Sequence, residues 1–230
     1  MINIIYKIAS RIIKFSNKPK FYDLISTREY FIKKSSAQRG AYLEFGVYKG
    51  NSALTFYKAL SNYHGGQPPI GHYPMYLFDS FIGLPSSNDQ KDQSPNWKEG
   101  VFDVGGGNKF KKMILEKGLP ADRFEIIEGF YEQSLKDFTI PDGALAGIVN
   151  MDCDYYSSTK EALDFLKPYL QNGTLFYFDD LHSFLGNPSK GQLAAINEFN
   201  RENSNIGINP CPHFQGKYEG RIYWSCLQDE

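Results

Sequence analysis

The sequence predicts an α/β fold: a mostly parallel central sheet with helices on both faces and an antiparallel closing strand. Three observations carry this. From residue 41 onward, short apolar runs alternate with stretches of helical periodicity. Glycines and acids follow most of those runs, as they do in sheets that bind ligands at the carboxyl ends of their strands. The chain has 230 residues, 41% of them hydrophobic, which is enough for one α/β core.

Residues 1–35 form a first region, a basic N-terminal helical arm. Ile4, Ile5, Ile8, Ile12 and Phe15 recur at helical spacing, with Lys7, Arg11 and Lys14 between them. Such a helix packs on the body or on a second subunit, so that the protein is a homo-oligomer, or it lies on a membrane surface. The second region, residues 36–230, carries the sheet. Tyr42–Phe45 reads as the first strand, followed by a helix from Ser52 to Leu60. Met75–Phe78 is the second strand, and Lys109–Lys117 a helix stopped by Gly118-Leu119-Pro120. Phe124–Ile127 and Gly147–Met151 are the third and fourth strands. A helix follows over Ser157–Leu170, with Ser157, Ser158 or Thr159 as its cap and Glu161 in its first turn. Thr174–Phe178 is the fifth strand and Ser189–Arg201 the next helix. Ile206–Ile208 and Arg221–Cys226 make an antiparallel closing pair.

Residues 81–107, rich in Gly, Ser, Asn, Asp and Pro, are too long for a plain connection and predict a lid loop. Gly105-Gly106-Gly107 at its end is a candidate hinge. It lacks the Lys and Ser/Thr of a phosphate-binding loop.

Charge narrows the function classes. The net charge is −1, but residues 1–40 hold nine Lys and Arg against two acids, while the remainder holds 16 bases and 24 acids. A near-neutral chain with an acidic body is not built for nucleic acid. Cys153, Cys211 and Cys226 form no C-x-x-C pair, so neither a disulfide framework nor a zinc site is indicated, and a cytoplasmic setting is the simpler expectation. No apolar run reaches the roughly 18 residues of a membrane span.

The residues after each strand are the candidate site. After the first strand, Glu44-Phe45-Gly46-Val47-Tyr48-Lys49-Gly50-Asn51-Ser52 gives a glycine turn leading into a helix N-terminus, which allows backbone to approach a ligand. After the second, Asp79 suits the hydroxyls of a ribose, or caps a loop. After the third, Glu128-Gly129-Phe130 faces an adenine, or leaves its acid in solvent. After the fourth and fifth come Asp152-Cys153-Asp154 and Asp179-Asp180-Leu181-His182. Carboxylates that converge repel one another, and a divalent cation with all-oxygen ligands resolves the repulsion. Alternatively, Asp179-Asp180 caps a loop. His182 is either catalytic or a structural imidazole.

These strings together resemble the macrocin O-methyltransferase family. Glu44–Ser52 is similar to its opening motif. Asp79-Ser80-Phe81-Ile82-Gly83-Leu84-Pro85 resembles its D-S-F-x-G-L-P signature, Asp152–Thr159 its D-x-D-x-Y-x-S-T string, and Asp179-Asp180 its paired aspartates. The likeness spans roughly residues 40–200. It implies a Rossmann-like class I methyltransferase fold and Mg2+-dependent methyl transfer from S-adenosylmethionine to a hydroxyl of a sugar or glycosylated acceptor. Under that likeness Asp152, Asp179 and Asp180 hold Mg2+ and Asp154 is the base, with His182 the alternative base that the residues themselves offer. Glu44, Gly46, Tyr48, Ser52, Asp79, Ser80, Glu128, Gly129, Phe130 and Asp152 hold the cofactor. Cys153 departs from the family's usual Gly and predicts a displaced Asp154 side chain. Two other classes remain. The D-x-D of Asp152 and Asp154 also fits a metal-dependent glycosyltransferase, and a relative without catalysis would bind cofactor alone.

Overall fold

The computed structural model describes residues 20–95 and 97–228. The amphipathic stretch Ile4–Phe15, and so most of the arm, lies outside them. Helix α1 occupies residues 20–34. The rest runs β1 (Ala41–Phe45), α2 (Asn51–His64), β2 (Met75–Asp79), α3 (Gly107–Glu116), β3 (Phe124–Glu128), α4 (Tyr131–Ser134), β4 (Ala146–Met151), α5 (Tyr156–Leu166), β5 (Leu175–Phe178), α6 (Gly191–Glu202), β6 (Ile206–Pro210) and β7 (Ile222–Leu227). The seven strands form one sheet in the order β3-β2-β1-β4-β5-β7-β6. Pairings among β1 to β5 are parallel, and β7 runs antiparallel to both neighbours. The strand order reverses between β1 and β4, the switch point where sheets of this kind bind ligands.

Burial explains the sequence pattern. All residues of β1, β4 and β5 are buried, which is why these strands read as continuous apolar runs. One face is covered by α1, α2 and α3 through Phe21, Leu24, Phe56, Phe110 and Ile114. The other is covered by α5 and α6 through Ala162, Leu163, Leu166, Ala195 and Phe199. Helix α1 therefore belongs to the body: Phe21 meets Tyr42 and Phe56 edge-on at 6.1 and 5.7 Å. Fully buried Arg28 donates to the carbonyls of Gln38 and Gly173. Among the described residues no helix is long and apolar enough to cross a membrane.

The predicted cap of α5 is corrected. The helix starts at Tyr156, and its N-cap is Tyr155, which makes no side-chain cap bond. Ser157 instead gives its N–H and its hydroxyl to Asp92, from the loop 81–107. That loop is a folded strap. Leu84 and Gly100 pair with Val101 and Leu84, and the N–H groups of Val104 and Gly106 both reach the carbonyl of Phe81.

Candidate functional site

A cavity of about 810 Å3 opens at the carboxyl ends of β1, β2, β3 and β4, within the range of small-molecule sites. Gly46 forms its floor at φ +84°, and a Cβ there would lie 1.8 Å from the carbonyl oxygen of Asp152. Only glycine lets β1 turn so close to β4. Tyr48, Asp79, Ser80, Gly129, Phe130, Asp152 and Asp154, all candidate site residues of the sequence, line the cavity, and Cys153 joins them. Asp79 is the keystone of the β1–β2 half. One oxygen accepts the N–H groups of Val47 and Tyr48 at 2.7 and 2.8 Å, and the other accepts that of Phe81 at 2.7 Å. It thereby ties the glycine turn to the start of the strap. Ser80 donates to the carbonyl of Gly83 at 2.6 Å.

Glu44 and Ser52 lie beneath this floor and do not line the cavity. Glu44 is fully buried, accepts the Tyr42 hydroxyl at 2.6 Å and accepts the Ser52 hydroxyl on its other oxygen. Burial pushes its carboxyl up to about 7, against the pull of those donors and of Lys20.

The β4 and β5 ends carry the acidic cluster. Carboxylate oxygens of Asp152, Asp179 and Asp180 lie within 4.8 Å of one another. Burial, then Asp179 and Asp180, push Asp152 well above the usual carboxylate range. Burial and the same two neighbours hold Asp154 up at about 8. Asp180 stands at about 6, raised by burial and Asp179, and eased by the Asp154 N–H and the Ser183 hydroxyl. Such a set of hard oxygen donors fits a divalent cation of the magnesium or calcium type, whose charge would relieve the crowding. Asp154 sits at φ +61°, a conformation that Asp tolerates better than most residues. The turn aims its N–H at Asp180 Oδ2, 3.1 Å away. Cys153 is buried, with its sulfur 3.5 Å from the Thr159 hydroxyl.

Glu128 and His182, like Glu44, Ser52, Asp179 and Asp180, stand outside the cavity lining. Glu128 does not line the cavity: its Oε1 accepts the Gly107 N–H at 2.8 Å, at the start of α3. An acid at a strand end serves equally well at a helix N-terminus, where orphan N–H groups need acceptors. His182 also stands outside the cavity, because its Nε2 donates to the Glu219 carbonyl at 2.8 Å.

Three residues that sequence reasoning missed support the site. Buried Gln192 accepts the Asp180 N–H at 3.0 Å and donates to the Met151 carbonyl at 3.1 Å, joining the ends of β4 and β5. Lys20, counted as part of the basic arm, is buried with its ammonium 3.4 Å from the centre of the Tyr177 ring. Burial lowers it to about 8, while Asp179, Asp152 and Glu44 pull the other way. Asp92 is the third. None of these stands in a motif, and their roles come from chain segments far apart in sequence.

The strand order, the glycine turn at the switch point and the acid after β2 define the class I methyltransferase type of Rossmann-like fold. The profile of the macrocin-O-methyltransferase (TylF) family matches residues 32–207, and the chain belongs to that family. A curated relative from Streptomyces olivaceus is 28% identical over 146 residues, 61% of this chain. It is an 8-demethyl-8-(2,3-dimethoxy-alpha-L-rhamnosyl)-tetracenomycin-C 4'-O-methyltransferase. The chain spans about half that relative's length, 52%. Among solved structures, the calicheamicin methyltransferase CalS11 superposes with a TM-score of 0.61 at 22% identity, over 90% of this chain and 79% of that one. The O-methyltransferase NovP gives 0.62 at 16% identity, over 91% and 80%. TomG from Streptomyces achromogenes, solved with S-adenosylmethionine, gives 0.54 at 14% identity, over 92% and 80%. These likenesses establish the fold.

Proposed function

We propose that the protein transfers a methyl group from S-adenosylmethionine to a sugar hydroxyl, with Mg2+ held by Asp152, Asp179 and Asp180. The observation that carries this reading is Asp152, which lines the glycine-floored cavity and at the same time belongs to the crowded set with Asp179 and Asp180. The family and the Streptomyces olivaceus relative support the choice of acceptor class.

When bound, the cofactor supplies a methyl on a sulfonium, which is already a good leaving group. When bound, Mg2+ supplies positive charge that offsets the three aspartates and favours ionisation of a hydroxyl beside it. The protein's own residues do the rest. Gly46 lets the cofactor approach the backbone, and Asp79 fixes the turn around it. Asp154 accepts the acceptor hydroxyl's proton on its carboxylate. The strap covers the cavity and excludes water. Among the described residues lining the cavity, Asp79, Glu99, Glu132, Asp152, Asp154 and Glu161 are acidic and none is Lys, Arg or His. That lining suits a cationic cofactor. It is unfavourable for the diphosphate of a nucleotide-sugar donor, which argues against the glycosyltransferase reading.

The test is methyl transfer from labelled S-adenosylmethionine to a panel of rhamnosides, with Mg2+ and with EDTA. Transfer that EDTA abolishes is expected. Full activity in EDTA removes the metal, and failure both to bind S-adenosylhomocysteine and to label any sugar overturns the reading.

A further inference from the structure

Asp92 lies in the strap, outside every motif of the sequence, yet it is 1% exposed. Among the described residues it makes no ion pair. Its Oδ2 accepts the hydroxyls of Ser87 and Ser157, each at 2.6 Å, and its Oδ1 accepts the Ser157 N–H at 3.0 Å. A carboxylate taken out of water is costly unless donors satisfy it, and here the donors come from two separate segments. Ser87 and Ser157 both line the cavity. Ser157 begins three residues after Asp154, in the first turn of α5.

The neighbouring contacts point the same way. Lys91 pairs with Glu198 of α6 at 3.0 Å, and its ammonium lies 3.9 Å from the centre of the Tyr156 ring. The Lys91 carbonyl accepts the Gly191 N–H at 3.1 Å. Trp97 lies edge-on to Tyr155 and Phe184, with ring centres 6.0 and 5.4 Å away. The strap therefore bridges from the end of β2 to the starts of α5 and α6. Asp92 and Lys91 both bond from the strap to the segment that carries Asp154, and Asp92 is the one of the two that reaches its backbone.

We infer that Asp92 is a positioning residue for methyl transfer. It latches the strap over the acceptor side of the cavity and fixes the turn bearing Asp154. This rests on the methyltransferase reading above. Asp92 bonds Ser87 and Ser157, whereas Asp79 bonds Val47, Tyr48 and Phe81, so loss of the latch is expected to leave cofactor affinity intact.

The experiment uses the full chain with S-adenosylhomocysteine as probe, comparing wild type, Asp92→Ala, Asp92→Asn and Ser157→Ala. In Asp92→Ala, amides of the strap and of the first turn of α5 exchange hydrogen at least about tenfold faster, the scale set by one lost charge-assisted bond. Amides of β1 and β4 do not change, and the probe's Kd stays within about twofold because Asp92 and Asp79 share no bonding partner. Asp92→Asn, which keeps an acceptor for the Ser157 N–H, falls between. With methyl α-L-rhamnopyranoside as acceptor, kcat/KM for the sugar falls while KM for S-adenosylmethionine holds. Should Asp92→Ala not fold, Ser157→Ala removes a single hydroxyl and is expected to loosen the same two segments. Unchanged strap exchange in every variant overturns the latch. So does loss of probe affinity and sheet protection in step with the strap, which marks a general structural role. Failure of wild type to bind the probe instead overturns the methyltransferase reading.

Discussion

On the β1–β2 side of the sheet's carboxyl edge, each carboxylate oxygen of Asp79 and Glu44 faces a donor. On the β4–β5 side, the carboxylates of Asp152, Asp179 and Asp180 crowd one another, although Asp180 also accepts the Asp154 N–H and the Ser183 hydroxyl. The two sides are neighbours in one sheet and are held by the same backbone pairing, with the Asp152 N–H on the Phe45 carbonyl at 2.8 Å. The difference lies in how negative charge is satisfied. The first side is complete in the polypeptide and forms a rigid cradle. On the second side the chain supplies compensating positive charge only in part, through Lys20 of α1 and Arg221, which stands 3.7 Å from Asp179. Charge left uncompensated in the second region is the signature of a site, and charge compensated in the first is the signature of a scaffold.

Substitutions sharpen this contrast by moving activity and stability apart. Asp154→Asn is expected to lower methyl transfer about 10²–10⁴-fold, the usual worth of a general base, with little change in the binding of S-adenosylhomocysteine by calorimetry. An equal loss of cofactor binding would break the division between the two sides. Asp79→Asn has the reverse profile. An amide in place of the carboxylate turns a donor toward one of three backbone N–H groups, and a loss of about 2–3 kcal/mol is expected. In thermal unfolding that is a Tm drop of about 4–12 °C for a chain of this size.

pH dependence gives the next largest effect. Asp154, Glu44 and Asp180 are held up at about 8, 7 and 6 in the folded chain, against about 4 when unfolded. A carboxyl raised on folding favours the native state below its unfolded value, and that contribution is lost as pH rises through the folded value. Metal-free protein should therefore lose Tm between about pH 4 and 8. Mg2+ at about 100 times its Kd adds roughly 2.7 kcal/mol, with a larger shift in Tm at pH 8 than at pH 5. A flat metal-free profile would contradict the uncompensated cluster. The smallest effect is expected from His182→Ala, whose imidazole is spent on the Glu219 carbonyl: activity within about threefold of wild type, as for a substitution outside the reacting groups.

The sequence carried most of the first region and the outline of the second. Strands β1, β4 and β5 were legible because buried parallel strands are continuous apolar runs, and the observed boundaries of all seven strands fall within two residues of the expected ones. The carboxylates of Asp152, Asp154, Asp179 and Asp180 were legible because strand ends converge in such folds. Direction was not legible. Glu128 and Asp79 both end a strand, and only the packing of α3 turns Glu128 away to Gly107. The cap of α5 was missed because its acceptor, Asp92, lies 65 residues earlier in the chain. Lys20 read as one more base of the arm, since a helix declares its buried face only once its neighbours are known. Cys153 was expected to displace Asp154. The structure places the Cys153 sulfur 3.5 Å from the Thr159 hydroxyl and Asp154 on the cavity wall, which leaves that displacement untested.

The central claim is that the β4–β5 side is completed by a divalent cation. Calorimetric titration of Mg2+ into the metal-free chain at pH 8, beside Asp152→Asn and Asp179→Asn, tests it most directly. The account predicts one site per chain in wild type and its loss in both variants. Absence of binding in wild type, or binding that survives both substitutions unchanged, would contradict it.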